Sequence, residues 1–219
     1  MKILRDNGLT IVLLLASLGT VVGMLFTGLH VYNDELAEHG GQMVTLPAYL
    51  ISGHFLSALF ENWESEFLQM SAYVVLTAFL FQRGSAESKD PDEPPSQNSN
   101  PADDQDNAEV PLPVRMGGMA SSLYSYSLGW TLFLLFVLSF LMHVRESASA
   151  QAVEAMLHGQ QAPSIGEQFF SARLWFESFQ NWQSEFLSTA VLVVLSIFLR
   201  FRGSPESKTV SDPHSKTGA

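Results

Sequence analysis

The sequence predicts an all-α membrane protein: four transmembrane helices from a tandem parallel repeat of two, with an outward-facing interfacial amphipathic helix in each half. Three observations carry that prediction. Only 15% of the 219 residues are charged, and the apolar ones gather into four blocks rather than short periodic runs. Those blocks compare with the roughly 20 residues that cross a bilayer core as helix. A shift of 119 residues lays the second half of the chain on the first.

The first block, 9–29, carries no charge and follows a basic start at Lys2 and Arg5. It is longer than the apolar core of about 7–15 residues in a cleaved leader, and Phe26-Thr27-Gly28-Leu29-His30 is a poor cleavage site, so it is read as a retained span. Gly19 and Gly23 form a G-x-x-x-G pair, extended by Ala16 and Thr27, a face that lets another helix come close. The second block, 67–81, is short until the helix is started at Trp63, giving a span over 63–82 with the indole at interfacial depth. A third span covers 123–144. The fourth, over 182–201, again reaches full length only with Trp182 included.

Under the 119-residue shift, Thr45–Lys89 lies on Ser164–Lys208 without a gap, and 19 of the 45 positions are identical. Asn62-Trp63-Glu64-Ser65-Glu66-Phe67-Leu68 meets Asn181-Trp182-Gln183-Ser184-Glu185-Phe186-Leu187. Arg83-Gly84-Ser85-Ala86-Glu87-Ser88-Lys89 meets Arg202-Gly203-Ser204-Pro205-Glu206-Ser207-Lys208. Two seven-residue blocks recurring in one register mark an internal repeat. The organisation expected is therefore a first repeat over 1–89, a linker over 90–113, a second repeat over 114–208 and a tail over 209–219.

Within each repeat an amphipathic segment precedes the second span, at 46–61 and 165–180. Pro47 in an opening turn and the Ser164-x-x-Glu167 capping box both signal a helix start. Large apolar groups such as Tyr49, Phe55, Phe169 and Trp175 suit the membrane interface. The linker is dense in Pro, Asp, Asn and Ser, and with the tail it is expected to be disordered, because it has too little apolar surface to offset ordering entropy. Most of the net charge of −11 lies between Gly84 and Pro113, where eight carboxylates face Lys89 alone. No basic stripe argues for nucleic acid. With no cysteine in the chain, disulfides, thiolate metal sites and cysteine nucleophiles are excluded.

Basic residues near span ends set orientation. Lys2, Arg5, Arg83, Lys89, Arg115, Arg200, Arg202, Lys208 and Lys216 fall on one side, against Arg145 and Arg173 on the other. Both termini and the linker are thus expected in the cytoplasm, with the two halves sharing one orientation about an axis along the membrane normal.

The candidate polar site is Glu66 and Glu185, at equivalent positions about one turn inside the interfacial Trp, with Gln69, Tyr73 and Thr77 or Ser188 and Ser196 continuing each stripe. An intramembrane carboxylate suggests a shared cation or proton site; at headgroup depth the same residues would be solvated and would favour the helix N-terminus. Asn62 and Asn181 read as hinges between interfacial and spanning helix, Trp63 and Trp182 as depth anchors, and Arg83 and Arg202 as snorkelling anchors at the other end. The histidines at 30, 39, 54, 143 and 158 are read as scattered, without zinc-site spacing and with none recurring between the halves; Arg173 stands where His54 would place one. No metal and no cofactor is expected.

The run from Phe60 to Met70 followed by Phe81–Lys89, with Asn7-Gly8-Leu9 and Ser52-Gly53-His54-Phe55, resembles a bacterial family of small membrane proteins known only as a domain of unknown function. The resemblance implies a bacterial inner-membrane setting and nothing about activity. Gln180 and Gln183 depart from the first-half pattern. With no catalytic motif, the function expected is a non-enzymatic scaffold, envelope or partner-binding protein. Its partners would be the lipid bilayer and a further membrane protein or a second copy. The alternative is a small channel or an ion- or proton-coupled carrier using the paired carboxylates.

Overall fold

In a computed structural model, which describes residues 2–93 and 96–218, helices follow one another as α1 (Lys2–Glu38), α2 (Leu46–Leu50), α3 (Gly53–Phe79), α4 (Leu112–Met116), α5 (Gly118–Ser125), α6 (Ser127–Leu157), α7 (Ile165–Phe169) and α8 (Ala172–Phe198). Short 3-10 turns occupy Ser96–Asn98 and Pro101–Asp104, in the expected linker, whose residues 94 and 95 lie outside the described residues. No strand occurs among the described residues. The bounds of α2 and α3, moved by 119 residues, are those of α7 and α8: 46 and 50 become 165 and 169, and 53 and 79 become 172 and 198.

Both long helices α1 and α6 outrun the expected spans 9–29 and 123–144. At about 1.5 Å per residue the 37-residue α1 is roughly 55 Å long, well beyond a bilayer core of about 30 Å. Its backbone departs from helical geometry at Asn7, with φ −130°. Each helix stops at a glycine in the left-handed region, Gly40 at φ +72° and Gly159 at φ +67°. There the Gly41 N–H donates to Leu36 at 2.7 Å and the Gln160 N–H donates to Ala155 at 2.8 Å, satisfying carbonyls the helix leaves open. α1 and α6 are long and apolar enough to cross a membrane, whereas α3 and α8, interrupted by their glutamates, fall short by that measure.

The expected interfacial helices over 46–61 and 165–180 are corrected. α2 and α7 are only five residues each, and the chain breaks at Ser52 and Ser171, not at the Asn-Trp pairs, through which α3 and α8 run unbroken. The reason is the serine hydroxyl. Ser52 Oγ accepts from the Phe55 N–H at 3.3 Å and Ser171 Oγ from the Leu174 N–H at 3.2 Å, satisfying donors that a helix start leaves open. Asn62 and Asn181 do not act as hinges, because each sits mid-helix with its carbonyl accepting from the Ser65 or Ser184 hydroxyl at 2.8 Å.

The chain forms two compact units, with boundaries inside α3, α6 and α8. The first unit is Met1–Glu61 with Phe140–Trp175, and its interior holds Leu36, Tyr49, Phe55, Val144, Ala148 and Leu174. Here α3 begins against α6 so closely that a Cβ on Gly53 would lie 2.5 Å from the Ala150 nitrogen. The second unit is Asn62–Ser139 with Phe176–Ala219, and its buried side chains are mostly polar: Glu64, Ser71, Ser85, Ser178, Ser196 and Lys208.

The tail, from which composition leads one to expect disorder, takes a defined path in the second unit. Lys208 is buried, and its ammonium donates to the carbonyls of Gly84, His214 at 3.1 Å and Lys216 at 2.9 Å. The Gly84 N–H donates to Thr217 Oγ1 at 2.9 Å, and the Gly218 N–H to Ser85 at 2.9 Å. A sequence poor in apolar groups is thus ordered by backbone hydrogen bonds closed around one cation.

Candidate functional site

Start with the two polar stripes of the second unit, one on α3 and one on α8. Glu66 is exposed and Glu185 half-exposed. The stripes face each other: Gln69 Nε2 donates to Thr189 Oγ1 at 2.6 Å, and Glu185 lies within the field of Glu66. Two like charges so placed repel each other. Trp63 is 41% exposed, and Asn62 is exposed beside it.

The buried carboxylate of these helices is a different one. Glu64 has no exposed surface; its Oε1 accepts from the Ser178 hydroxyl at 2.8 Å and from the Trp182 indole at 3.3 Å. Trp182 is packed on Phe136 and Phe179, with ring centroids 6.1 and 5.6 Å away, so its polar edge is aimed at Glu64. A buried ion needs such donors, because the low local dielectric makes desolvation costly. Repeat logic pointed away from Glu64, whose counterpart is Gln183; the only sequence signal for it was helical phase, since Ser178 and Trp182 are one turn apart.

Where α3 and α8 end, the two Arg-Gly-Ser-x-Glu-Ser-Lys segments fold alike. Gly84 and Gly203 adopt φ +84° and +89°. The N–H groups of residues 82 and 201 donate to Ser88 and Ser207 hydroxyls at 2.9 Å in both. The helix ends are closed by cations, Lys89 Nζ donating to the Ala78 carbonyl at 2.7 Å and Arg200 to Ile197 at 3.1 Å. Arg83 pairs with Asp92 of the linker, and the guanidinium hydrogen bond holds the Asp92 carboxyl below its ordinary range. Arg202 is exposed.

These loops bring the equivalent Glu87 and Glu206 close enough for their charges to interact, with the Tyr73 hydroxyl donating to Glu87 Oε2 at 3.1 Å. Burial pushes Glu87 above the ordinary carboxylate range; the Tyr73 hydrogen bond opposes this, and the charge of Glu206 reinforces it. The motif was evident in the sequence, but its glutamates were not among the expected site residues.

The first unit carries a second constellation. His54 Nε2 lies 3.9 Å from the Glu35 carboxylate, and its Nδ1 is 3.0 Å from Tyr49 Oη. Tyr49 is buried, and that burial first, then the Glu35 charge, raises its hydroxyl pKa to about 12. Desolvation lowers the His54 pKa against the pull of Glu35. At the positions 119 residues on, Arg173 pairs with Glu154 at 2.9 Å and Gln168 donates to Ser147 Oγ at 2.7 Å.

The reading of the histidines as unrelated is corrected here. The shift that carries His54 onto Arg173 carries His39-Gly40 onto His158-Gly159, outside the gap-free block that revealed the repeat. The two imidazoles meet, with centroids 5.0 Å apart and planes at 62°. The sequence signal was available: a histidine before the terminal glycine of both long helices.

Comparison with curated proteins and with solved structures finds no match. Residues 1–219 match one protein family over their full length, and the chain therefore belongs to the family described as Domain of unknown function (DUF6766).

Proposed function

We propose that this protein is a non-enzymatic, four-span protein of the bacterial inner membrane, with both termini in the cytoplasm, acting as a scaffold, envelope or partner-binding subunit. One observation carries the reading. The most apolar window of α1, mean hydropathy 2.4, has none of its residues buried within the protein. Leu9, Val12, Leu13, Leu14, Leu15 and Leu18 are all more than half exposed. Apolar surface of that extent demands lipid or another helix around it. An added Cβ at Gly19 or Gly23 would meet nothing within 4 Å, so the small-residue face is open to a partner helix.

The coincidence of α2 and α3 with α7 and α8 under one shift supports a tandem repeat of two spans. By that repeat α3 and α8 are the second span of each half, with apolar runs over 67–81 and 186–199. A photo-crosslinking residue placed at Gly19, compared with one at Val21 on the opposite face, tests the partner reading in native membranes. Adducts from position 19 in excess over position 21 support it; equal yields, or none, refute it.

A second reading, a small channel or an ion- or proton-coupled carrier, is favoured by the facing stripes of Glu66–Gln69 and Glu185–Thr189. Proton flux into vesicles containing the purified protein, abolished by E66Q/E185Q, would establish it. Vesicles as tight as protein-free ones would dismiss it.

A further inference from the structure

We infer that His39 and His158 form a binding site for a divalent transition-metal ion of the zinc, copper or nickel type. The inference starts from tautomers. His39 Nδ1 lies 2.9 Å from the Glu35 carbonyl, and His158 Nδ1 lies 2.8 Å from the Glu154 carbonyl, each four residues back in its own helix. A carbonyl oxygen only accepts, so each Nδ1 carries the proton. The Nε2 of each neutral ring then keeps its lone pair, the state in which imidazole is a metal ligand. A metal-bound histidine ordinarily donates its other N–H to a carbonyl or carboxylate, and here both second partners are in place without the metal.

The ring separation fits. Zinc sits about 2.0–2.1 Å from an imidazole nitrogen, which places each ring centroid about 3.2 Å from the ion. Two such ligands at a tetrahedral angle have centroids about 5.2 Å apart. The observed separation is 5.0 Å, with the planes turned by 62°. Two edge-on rings of a plain aromatic contact would need neither matched tautomers nor recurrence. Here both rings follow the same cap, a helix end closed by Gly40 or Gly159 with positive φ. The backbone therefore fixes where both rings start.

Both histidines are exposed, and an open polar cavity of about 390 Å³ is bordered by His158, Gln160 and Gln161. Water or an exchangeable third ligand can complete the coordination, which marks the site as one that loads and unloads rather than a closed structural centre. Imidazole nitrogen selects zinc, copper and nickel over magnesium and calcium, which prefer oxygen.

The test is titration of zinc chloride into the untagged, full-length protein in detergent, followed by calorimetry. Wild type should take up one zinc per chain, and H39A and H158A should each weaken that binding by at least about tenfold. H30A, whose ring is exposed beside Asp34, should bind as wild type does. No uptake by wild type, or uptake unchanged in either variant, overturns the proposal. If the variants fail to fold, electron paramagnetic resonance of copper-loaded wild type decides: coupling to two imidazole nitrogens supports the site, and coupling to one or none overturns it.

Discussion

The ammonium of Lys208 donates to the carbonyl oxygen of Gly84, so the last residue of one Arg-Gly-Ser-x-Glu-Ser-Lys segment locks the glycine of the other. Gly84 has the left-handed φ of +84°, which turns that carbonyl out of the loop and toward the lysine. The tail residues His214 and Lys216 supply further acceptors, and burial holds the Lys208 pKa below the ordinary lysine value.

Replacing Lys208 by Met should therefore leave several buried carbonyls without a donor. A loss of about 2–3 kcal/mol is expected from the charged hydrogen bonds removed. Hydrogen exchange at the Gly218 amide, which is bonded to Ser85, should accelerate in step. Unchanged melting and unchanged exchange would show that the tail is held by something else.

Glu87 gives a pH dependence of definite sign. The folded Glu87 has a pKa above that of an unfolded glutamate, about 4.3, so the folded state binds more protons between the two values. Its contribution is fully present below the unfolded pKa and is lost as pH rises through the folded pKa. Thermal unfolding in detergent from about pH 4 to about pH 7 should show wild type losing stability with rising pH. E87Q, neutral throughout, should show a shallower slope, and identical slopes would refute the raised Glu87 pKa.

Gly53 separates a glycine required by packing from one kept free. An alanine there would place Cβ 2.5 Å from the Ala150 nitrogen and 2.7 Å from the Glu146 oxygen, backbone atoms that cannot yield cheaply. G53A should destabilise the protein by about 1–3 kcal/mol, as overpacking does. G19A meets nothing within 4 Å and should be neutral or stabilising by up to about 1 kcal/mol in the purified chain. Chemical denaturation of both variants in detergent gives the comparison.

What was legible in the sequence followed local rules. The helix starts at Leu46 and Ile165, the glycine turns at 84 and 203 and the apolar stretch of α1 all have composition or spacing signals. The break at Ser52 and Ser171 was hidden because amphipathic and spanning segments read continuously, and a serine hydroxyl decides only when the backbone leaves it a donor. Glu64 was missed because attention to recurring residues favours Glu66 and Glu185, whereas burial follows the facing helix, which supplies Ser178 and Trp182. The path of the tail has no signature at all, since Lys208 binds main-chain carbonyls that every residue possesses.

The four-span topology is tested most directly by labelling single cysteines in intact cells with an impermeant thiol reagent, which the cysteine-free chain makes clean. If α3 crosses the membrane after α1, a cysteine at Ser99 is cytoplasmic and one at Gln160 faces out. Labelling is expected at Gln160, and at Ser99 and Ser215 only after lysis. If only α1 and α6 cross, Ser99 lies outside and Gln160 inside, so labelling at Ser99 with protection of Gln160 would contradict the four-span arrangement.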